Sequence, residues 1–327
     1  MRRAKAEILR PRGSPAPELQ LYPAPEMGRT QREGPAAVAR AMVQAMRPMQ
    51  WVKNTACLAG LIFSKQLLSA PARVSAVAAT VMFCAAASAV YIFNDLCDCR
   101  ADRRNPKKAD RPIASGALPQ GTAIVGGLAA LLTSLLIAWS LGPGCAWVLA
   151  LYLAMNVVYS LWLKHAVLAD VMVIAMGFVF RVLAGVYAVG AQPTAWIVLC
   201  MFFLALLLGL AKRRAELAAL KNAAAAHRPV LAKYSLPYLD ALLAVMAAMT
   251  VICYAVYTVD SPHKNATLIV TIPPVVYGIA RYLLLVMVRG GEAPEEILTR
   301  DKGLLIAVLV WICLCVLVLY GNLHLFD

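Results

Sequence analysis

The chain has 327 residues, 61% of them hydrophobic and only 15% charged, with a formal net charge of +14. Soluble domains carry about 45–50% apolar residues, so this composition excludes an ordinary soluble domain and indicates an all-α integral membrane protein. The positive balance suggests nucleic acid only until the charges are placed along the chain.

Residues 1–45 differ from everything after them. They hold Pro11, Pro15, Pro17, Pro23, Pro25 and Pro35, many basic residues and no long apolar run. That is the composition of a disordered basic tail able to lie against anionic lipid. No secretory leader is expected, since no early basic segment leads into a short apolar core. The membrane domain is expected over 46–327. A spanning helix takes about 20 predominantly apolar residues. Nine stretches qualify, roughly 51–69, 73–93, 121–141, 145–163, 167–189, 194–211, 236–258, 266–288 and 303–323. The first is the least apolar, because Lys53, Asn54 and Lys65 leave a short centre and its charged ends must snorkel.

Charge placement tests this layout. With the N-terminus inside, the tail through Lys53 and segments 94–120, 164–166, 212–235 and 289–302 hold 26 of the 31 Lys/Arg. The opposite face holds Lys65, Arg73 and Lys264, while Arg181 and Arg281 fall within helices. Cytoplasmic loops of membrane proteins carry the excess of Lys and Arg. The expectation is a multi-pass protein of the bacterial cytoplasmic (inner) membrane, N-terminus inside and C-terminus on the opposite side. The surplus charge is then a cytoplasmic face, with no nucleic-acid role. The nine cysteines are scattered, mostly in apolar runs, without metal-type CxxC spacing or a disulfide framework.

The most informative stretch is Asn94 to Gly116, NDLCDCRADRRNPKKADRPIASG. Asp95, Asp98 and Asp102 are spaced i, i+3, i+7, so they share one face if the preceding helix continues past Asn94. Like charges so placed repel and become favourable around a hard divalent cation, which Mg²⁺ sites build from one or two carboxylates plus substrate phosphates. Arg103, Arg104, Lys107, Lys108 and Arg111 follow at once and suit those phosphates.

Two other polar segments face the same side. RPMQWVKN places Arg47, Lys53 and Asn54 at the cytoplasmic interface beside Trp51, and AKRRAELAALKN after the sixth span carries Lys212, Arg213, Arg214, Glu216 and Lys221. Within the fifth span, Asp170 and Arg181 are eleven residues apart, three turns, and so lie on one face. An arginine at that depth costs about 2.5–3.5 kcal/mol even on insertion scales and must face a cavity or a partner. Lys164, with the interfacial His165, belongs to the short turn before that span. The chain has no GxxxxGK[ST] loop, no GxGxxG after a strand and no HExxH. Catalysis is therefore expected to rest on a metal and basic residues rather than on an activated side-chain nucleophile.

The run from Asn94 resembles the first Asp-rich motif, NDxxDxxxD, of the UbiA superfamily of intramembrane prenyltransferases, and nine helices with polar cytoplasmic loops is also that family's architecture. RPMQWVKN, NPKKADRPIASG, ADVMVIAMGFVFRVLAG (Ala169 to Gly185), LAKRRAEL (Leu210 to Leu217), KYSLPYLD (Lys233 to Asp240) and YGIARYLLLV (Tyr277 to Val286) together resemble its phosphoribosyl-transferring branch, over about residues 46–322. The resemblance implies a UbiA-like bundle with a cytoplasmic active-site mouth. It implies Mg²⁺, with Mn²⁺ as a substitute, held by Asp95, Asp98 and Asp102 on a diphosphate, with Asn94 orienting the site. Lys53, Arg111, Lys212, Arg213 and, more weakly, Arg47 would position phosphates, with Lys164, Asp170 and Arg181 as further substrate-side candidates. The implied substrates are phosphoribosyl diphosphate (PRPP) and a decaprenyl-like polyprenyl phosphate from the bilayer.

One departure bears on that choice. Ordinary members carry a second Asp-rich motif after helix six, whereas here that place reads AKRRAELAALKN with Glu216 its only acid. A basic segment suits a donor with an additional phosphate and an acceptor that is itself a lipid phosphate. The alternative enzyme is a prenyltransferase using a prenyl diphosphate and an aromatic acceptor. A transporter is the reading from another class, but its ionisable groups belong near the midplane of repeated halves. A monomer and a homo-oligomer are equally compatible with the sequence.

Overall fold

The computed structural model describes residues 34–106, 108–163, 166–220, 233–260, 266–288, 297 and 300–321. Every regular element among them is helical. In hydrocarbon a chain must satisfy its backbone polar groups internally, which selects helices for long apolar runs. Eight helices among the described residues are long and apolar enough to cross a membrane. They are α3 (Ala70–Arg103), α5 (Gln120–Leu141), α6 (Pro143–Leu161), α7 (Ala169–Ala188), α8 (Ala195–Leu220), α9 (Leu236–Val259), α10 (Ile272–Val288, entered through a 3₁₀ turn at Ala266–Thr271) and α11 (Lys302–Tyr320). The fold is an all-α membrane bundle.

The expected first span, 51–69, is where the structure departs. Pro48–Cys57 is a 3₁₀ helix that passes into the six-residue helix α2, Leu58–Phe63. The thinner 3₁₀ form rises about 2.0 Å per residue, so the sixteen residues cover about 29 Å. At one end Arg47 reaches Asp95. At the other, Gln66 Nε2 donates to the Val189 carbonyl (3.0 Å) and the Leu67 N–H to Tyr320 Oη (3.0 Å). The segment therefore runs the length of the bundle without being a regular α-helix. Its narrowness is used in packing: a Cβ on Gly185 of α7 would lie 1.8 Å from the Cys57 carbonyl oxygen, and one on Gly60 would lie 2.4 Å from the Gly185 carbonyl carbon. Backbone lies directly on backbone there, which only glycine permits.

The expected tail also ends earlier than residue 45. Pro35–Met46 forms α1, opened by proline in its first turn, where the missing N–H is not needed. It buries Ala41 and Ala45 in a cluster with Ile92 and Cys99 of α3, Ile113 and Leu118. Residues 1–33 lie outside the described residues.

Helix α7 is the hub. Its buried side chains divide between two cores, Val171 and Ala175 packing with α8, α9, α10 and α11, and Phe180 and Ala184 packing with Cys57, α3 and α6. On the outside, Leu128, Leu136 and Trp139 of α5, Trp147 of α6 and Leu309 of α11 are exposed, the surface that hydrocarbon covers.

Candidate active site

Helix α3 has 34 residues, about 51 Å at 1.5 Å per residue, and so outruns a hydrocarbon core of about 30 Å. Its last turns carry the aspartates, as the spacing predicts. Seven residues at 100° each fall 20° short of two turns, so Asp95 and Asp102 are nearly eclipsed while Asp98 is rotated away. The burial follows: Asp95 and Asp102 are 3% and 2% exposed, and Asp98 is half-buried. All three lie toward the negative end of the helix dipole, which disfavours carboxylates.

Cations answer that charge. Arg111 Nη1 donates to Asp95 Oδ1 (2.9 Å) and to Asp102 Oδ2 (2.8 Å), bridging the two. Arg47 Nη2 donates to the same Asp95 Oδ1 (2.6 Å), and Lys108 Nζ stands 3.6 Å from Asp102 Oδ1. Local sequence explains how Arg111 gets there. Pro112 starts the one-turn helix α4 (Pro112–Ser115), which Gly116 ends in the left-handed region at φ 88°. Ile113 and Ala114 are buried, Cys99 Sγ donates to the Ile113 carbonyl and Arg103 Nε to the Ala114 carbonyl. The turn is folded back along α3, and Arg111, the residue before it, faces the aspartates. Arg47 sits between α1 and the 3₁₀ segment with φ 55°, a strained conformation for a non-glycine residue. Its guanidinium lies over the Tyr91 ring, 4.9 Å from the centroid. Tyr91 is one turn before Asp95, a contact readable from i, i+4 spacing once Arg47 is known to arrive there. Asn94 accepts a hydrogen bond from Ser160 Oγ of α6 (2.5 Å), a partner with no local signal.

The other expected residues form different groupings. Gln66 pairs with Val189, at the far end of α7, and next to the start of α3. The beginning of α7 is therefore at the same end of the bundle as the aspartates. There Arg213 Nε stands 2.9 Å from Asp170 Oδ2, though its N–H is not aimed at that oxygen, and its Nη1 donates to Glu216 Oε2 (2.5 Å). Arg213 is 4% exposed and already neutralised. Tyr234, packed beside them, accepts from the Leu168 N–H (2.8 Å), and burial pushes its hydroxyl pKa up. Arg214 pairs with Asp240 and also donates to the Val286 carbonyl (3.0 Å). Lys212 and Lys53 are half-buried. The segment after the sixth span is no loop at its start: α8 continues to Leu220, so Lys212 to Glu216 are helical.

Asp170 and Arg181 do not meet a shared partner. Arg181 Nε donates to Asn54 Oδ1 (2.7 Å) and Nη1 to the Gly177 carbonyl (2.7 Å), inside a cage of the Phe83, Tyr152 and Phe178 rings. Its role is to fasten the 3₁₀ segment to α7. Arg281, at the edge of α10, pairs in a bidentate manner with Asp301, whose carboxylate also caps α11. Lys107, Lys164, His165 and Lys221 lie outside the described residues.

A metal fits the aspartate end. One positively charged nitrogen is within hydrogen-bond distance of both buried carboxylates, so the donors already converge on a single cationic position. Among the described residues no group of three or more acidic, histidine or cysteine side chains is placed to hold a metal ion by itself, so a divalent cation at this end would take the rest of its shell from water or phosphate.

Residues 55–298 match the model of the UbiA prenyltransferase family. The chain belongs to the UbiA prenyltransferase family. It is 35% identical over 287 residues to a decaprenyl-phosphate phosphoribosyltransferase of Mycobacterium tuberculosis strain H37Rv, covering 85% of this chain and 94% of that protein. A protein of the same name from Corynebacterium glutamicum is 33% identical over 304 residues, covering 88% and 90%. Among solved structures, a UbiA homolog from Archaeoglobus fulgidus bound to DMAPP and Mg²⁺ superposes with a TM-score of 0.68 at 20% identity, covering 86% of this chain and 99% of that one. The all-helical UbiA fold, expected from the Asp-rich motif, is the one observed.

Proposed function

We propose that this protein transfers 5-phosphoribose from PRPP to a decaprenyl-like polyprenyl phosphate, releasing diphosphate. The observation that carries the reading is the match over nearly the whole length of phosphoribosyltransferases named for that lipid. The end of α8 supports it over the prenyl-diphosphate alternative, because Lys212 lies where the resemblance to ordinary UbiA prenyltransferases implies a second acidic motif.

Asp95 and Asp102, with Asp98 beside them, would hold Mg²⁺ at the diphosphate. When bound, the metal supplies charge neutralisation for the leaving group. Asn94, fixed by Ser160, orients the start of that face. Arg47, Arg111, Lys53 and Lys212 bind phosphate oxygens of donor and acceptor. A phosphate oxygen of the lipid forms a bond to the ribose anomeric carbon, and the bond from that carbon to the diphosphate breaks with its electron pair on the diphosphate. The lipid phosphate arrives anionic, so no general base is needed, and attack opposite the leaving group inverts the anomeric centre. Arg213, Asp170 and Arg181, each at most 7% exposed, hold helices in place rather than reach for phosphate.

The topology follows the charges: nine crossings, counting the 3₁₀ segment, N-terminus and active site cytoplasmic, C-terminus outside, in a bacterial inner membrane. The deciding experiment supplies purified protein with labelled PRPP and polyprenyl phosphate, and separately with a prenyl diphosphate and an aromatic acceptor. A lipid product heavier by one phosphoribosyl group is expected. Prenylation of the ring compound, with no ribosylated lipid, overturns the reading.

A further inference from the structure

We infer that Arg111 is an exchange residue, occupying the cation position between Asp95 and Asp102 until a metal–diphosphate complex takes it over. The inference rests on the proposed site but not on which diphosphate enters it. Arg111 Nη1 makes both contacts from one atom, 2.9 Å and 2.8 Å, so it and a metal cannot hold those oxygens together. The two carboxylates are buried and tolerate no interval without a counter-charge. Arg111 itself is 29% exposed and is the last residue before α4, held by a buried turn, so its side chain can swing outward while its backbone stays.

The consequence is a coupling between two ligands. A bare divalent cation must displace Arg111, and in part Arg47, from carboxylates that suit them, leaving guanidinium groups without an anionic partner. A cation arriving with a diphosphate replaces the carboxylate charge and offers the displaced arginines phosphate oxygens, their best partners. Metal and diphosphate therefore bind far better together than apart, and by linkage each raises the other's affinity by one factor. Arg111 carries opposite signs in the two half-reactions: it opposes the metal alone and favours the diphosphate. A residue serving only as a phosphate ligand lacks the first effect, and one serving only as a structural counter-ion lacks the second.

The test measures Mn²⁺ binding to the full-length protein in nanodiscs by the EPR signal of free Mn²⁺. It is run without and with inorganic diphosphate, correcting for Mn²⁺–diphosphate formed in buffer. Arg111→Gln is expected to bind Mn²⁺ alone roughly tenfold more tightly than wild type, with the diphosphate-dependent gain in Mn²⁺ affinity reduced by a similar factor. Unchanged or weaker binding of Mn²⁺ alone by the variant overturns the inference. Should Arg111→Gln fail to fold, Arg111→Met keeps an unbranched stem without the charge; tighter binding of Mn²⁺ alone is expected, and unchanged or weaker binding overturns the inference. A parallel arm replaces inorganic diphosphate by PRPP or a prenyl diphosphate. Coupling with inorganic diphosphate but not with PRPP sinks the donor assignment while leaving the exchange role standing.

Discussion

Asp95 and Asp98 are one turn apart on α3, yet their surroundings assign them different sensitivities. Asp98 is half-buried, so Asp98→Asn alters the metal face with little effect on packing. Loss of Mg²⁺-dependent turnover by a hundredfold or more is expected, at about the level of removing one transition-state-stabilising group, with a smaller loss of melting temperature than at a fully buried aspartate. An active Asp98→Asn enzyme at limiting Mg²⁺ would remove this residue from the metal site. Asp95→Asn behaves otherwise. It leaves Arg47 and Arg111 with at most a neutral amide oxygen in place of the carboxylate they share, and about 2–3 kcal/mol of stability should go with the lost charge. Thermal unfolding in one detergent separates the two cases. Arg213 shows what residue type alone leaves open. The sequence offers it as a phosphate ligand; in the fold it is buried between Asp170 and Glu216.

At the scale of elements, the 3₁₀ segment and α7 form the tightest contact. Gly185→Ala would drive a methyl group into the Cys57 carbonyl. Neither partner is a flexible side chain, so the segment must move, at about 3 kcal/mol or more. Gly126→Ala is the control. There the three atoms nearest the added carbon, Cε, Sδ and Cγ, all belong to Met42, a side chain able to find another rotamer, and the stability should change by less than about 1 kcal/mol. Equal melting temperatures for the two variants would show that the backbone contact is not as close as described. The same segment illustrates a limit of periodicity. Its apolar content predicts a span, but Pro48, Lys53, Asn54 and the demand of Arg181 for the Asn54 oxygen select a narrower helix.

For the molecule as a whole, the testable quantity is sidedness. Cys97 is exposed at the aspartate end of α3. It should react with a membrane-impermeant thiol reagent in inside-out vesicles and be protected in right-side-out cells. The reverse labelling pattern would invert the proposed orientation and place the site on the outer face. Asp95, Asp102, Asp170 and Arg213 share this end because the starts and finishes of α3, α7 and α8 alternate across the bundle. The two polar ends thus face one compartment although they are separated by some hundred residues of chain.

The sequence by itself determined the class of protein, the apolar spans after the first and the helical ladder of aspartates. These depend on local composition and on a period of 3.6 residues, and the bilayer leaves little freedom once apolar length is set. Only the tertiary structure decided which charges are spent on one another. Arg47 and Arg111 converge on Asp95, Arg213 turns inward to Asp170, and Arg181 passes by Asp170 to hold Asn54. Each pairing is made between residues distant in sequence or folded back by a buried turn. A buried charge must find its partner in space, so the separation along the chain carries no record of it.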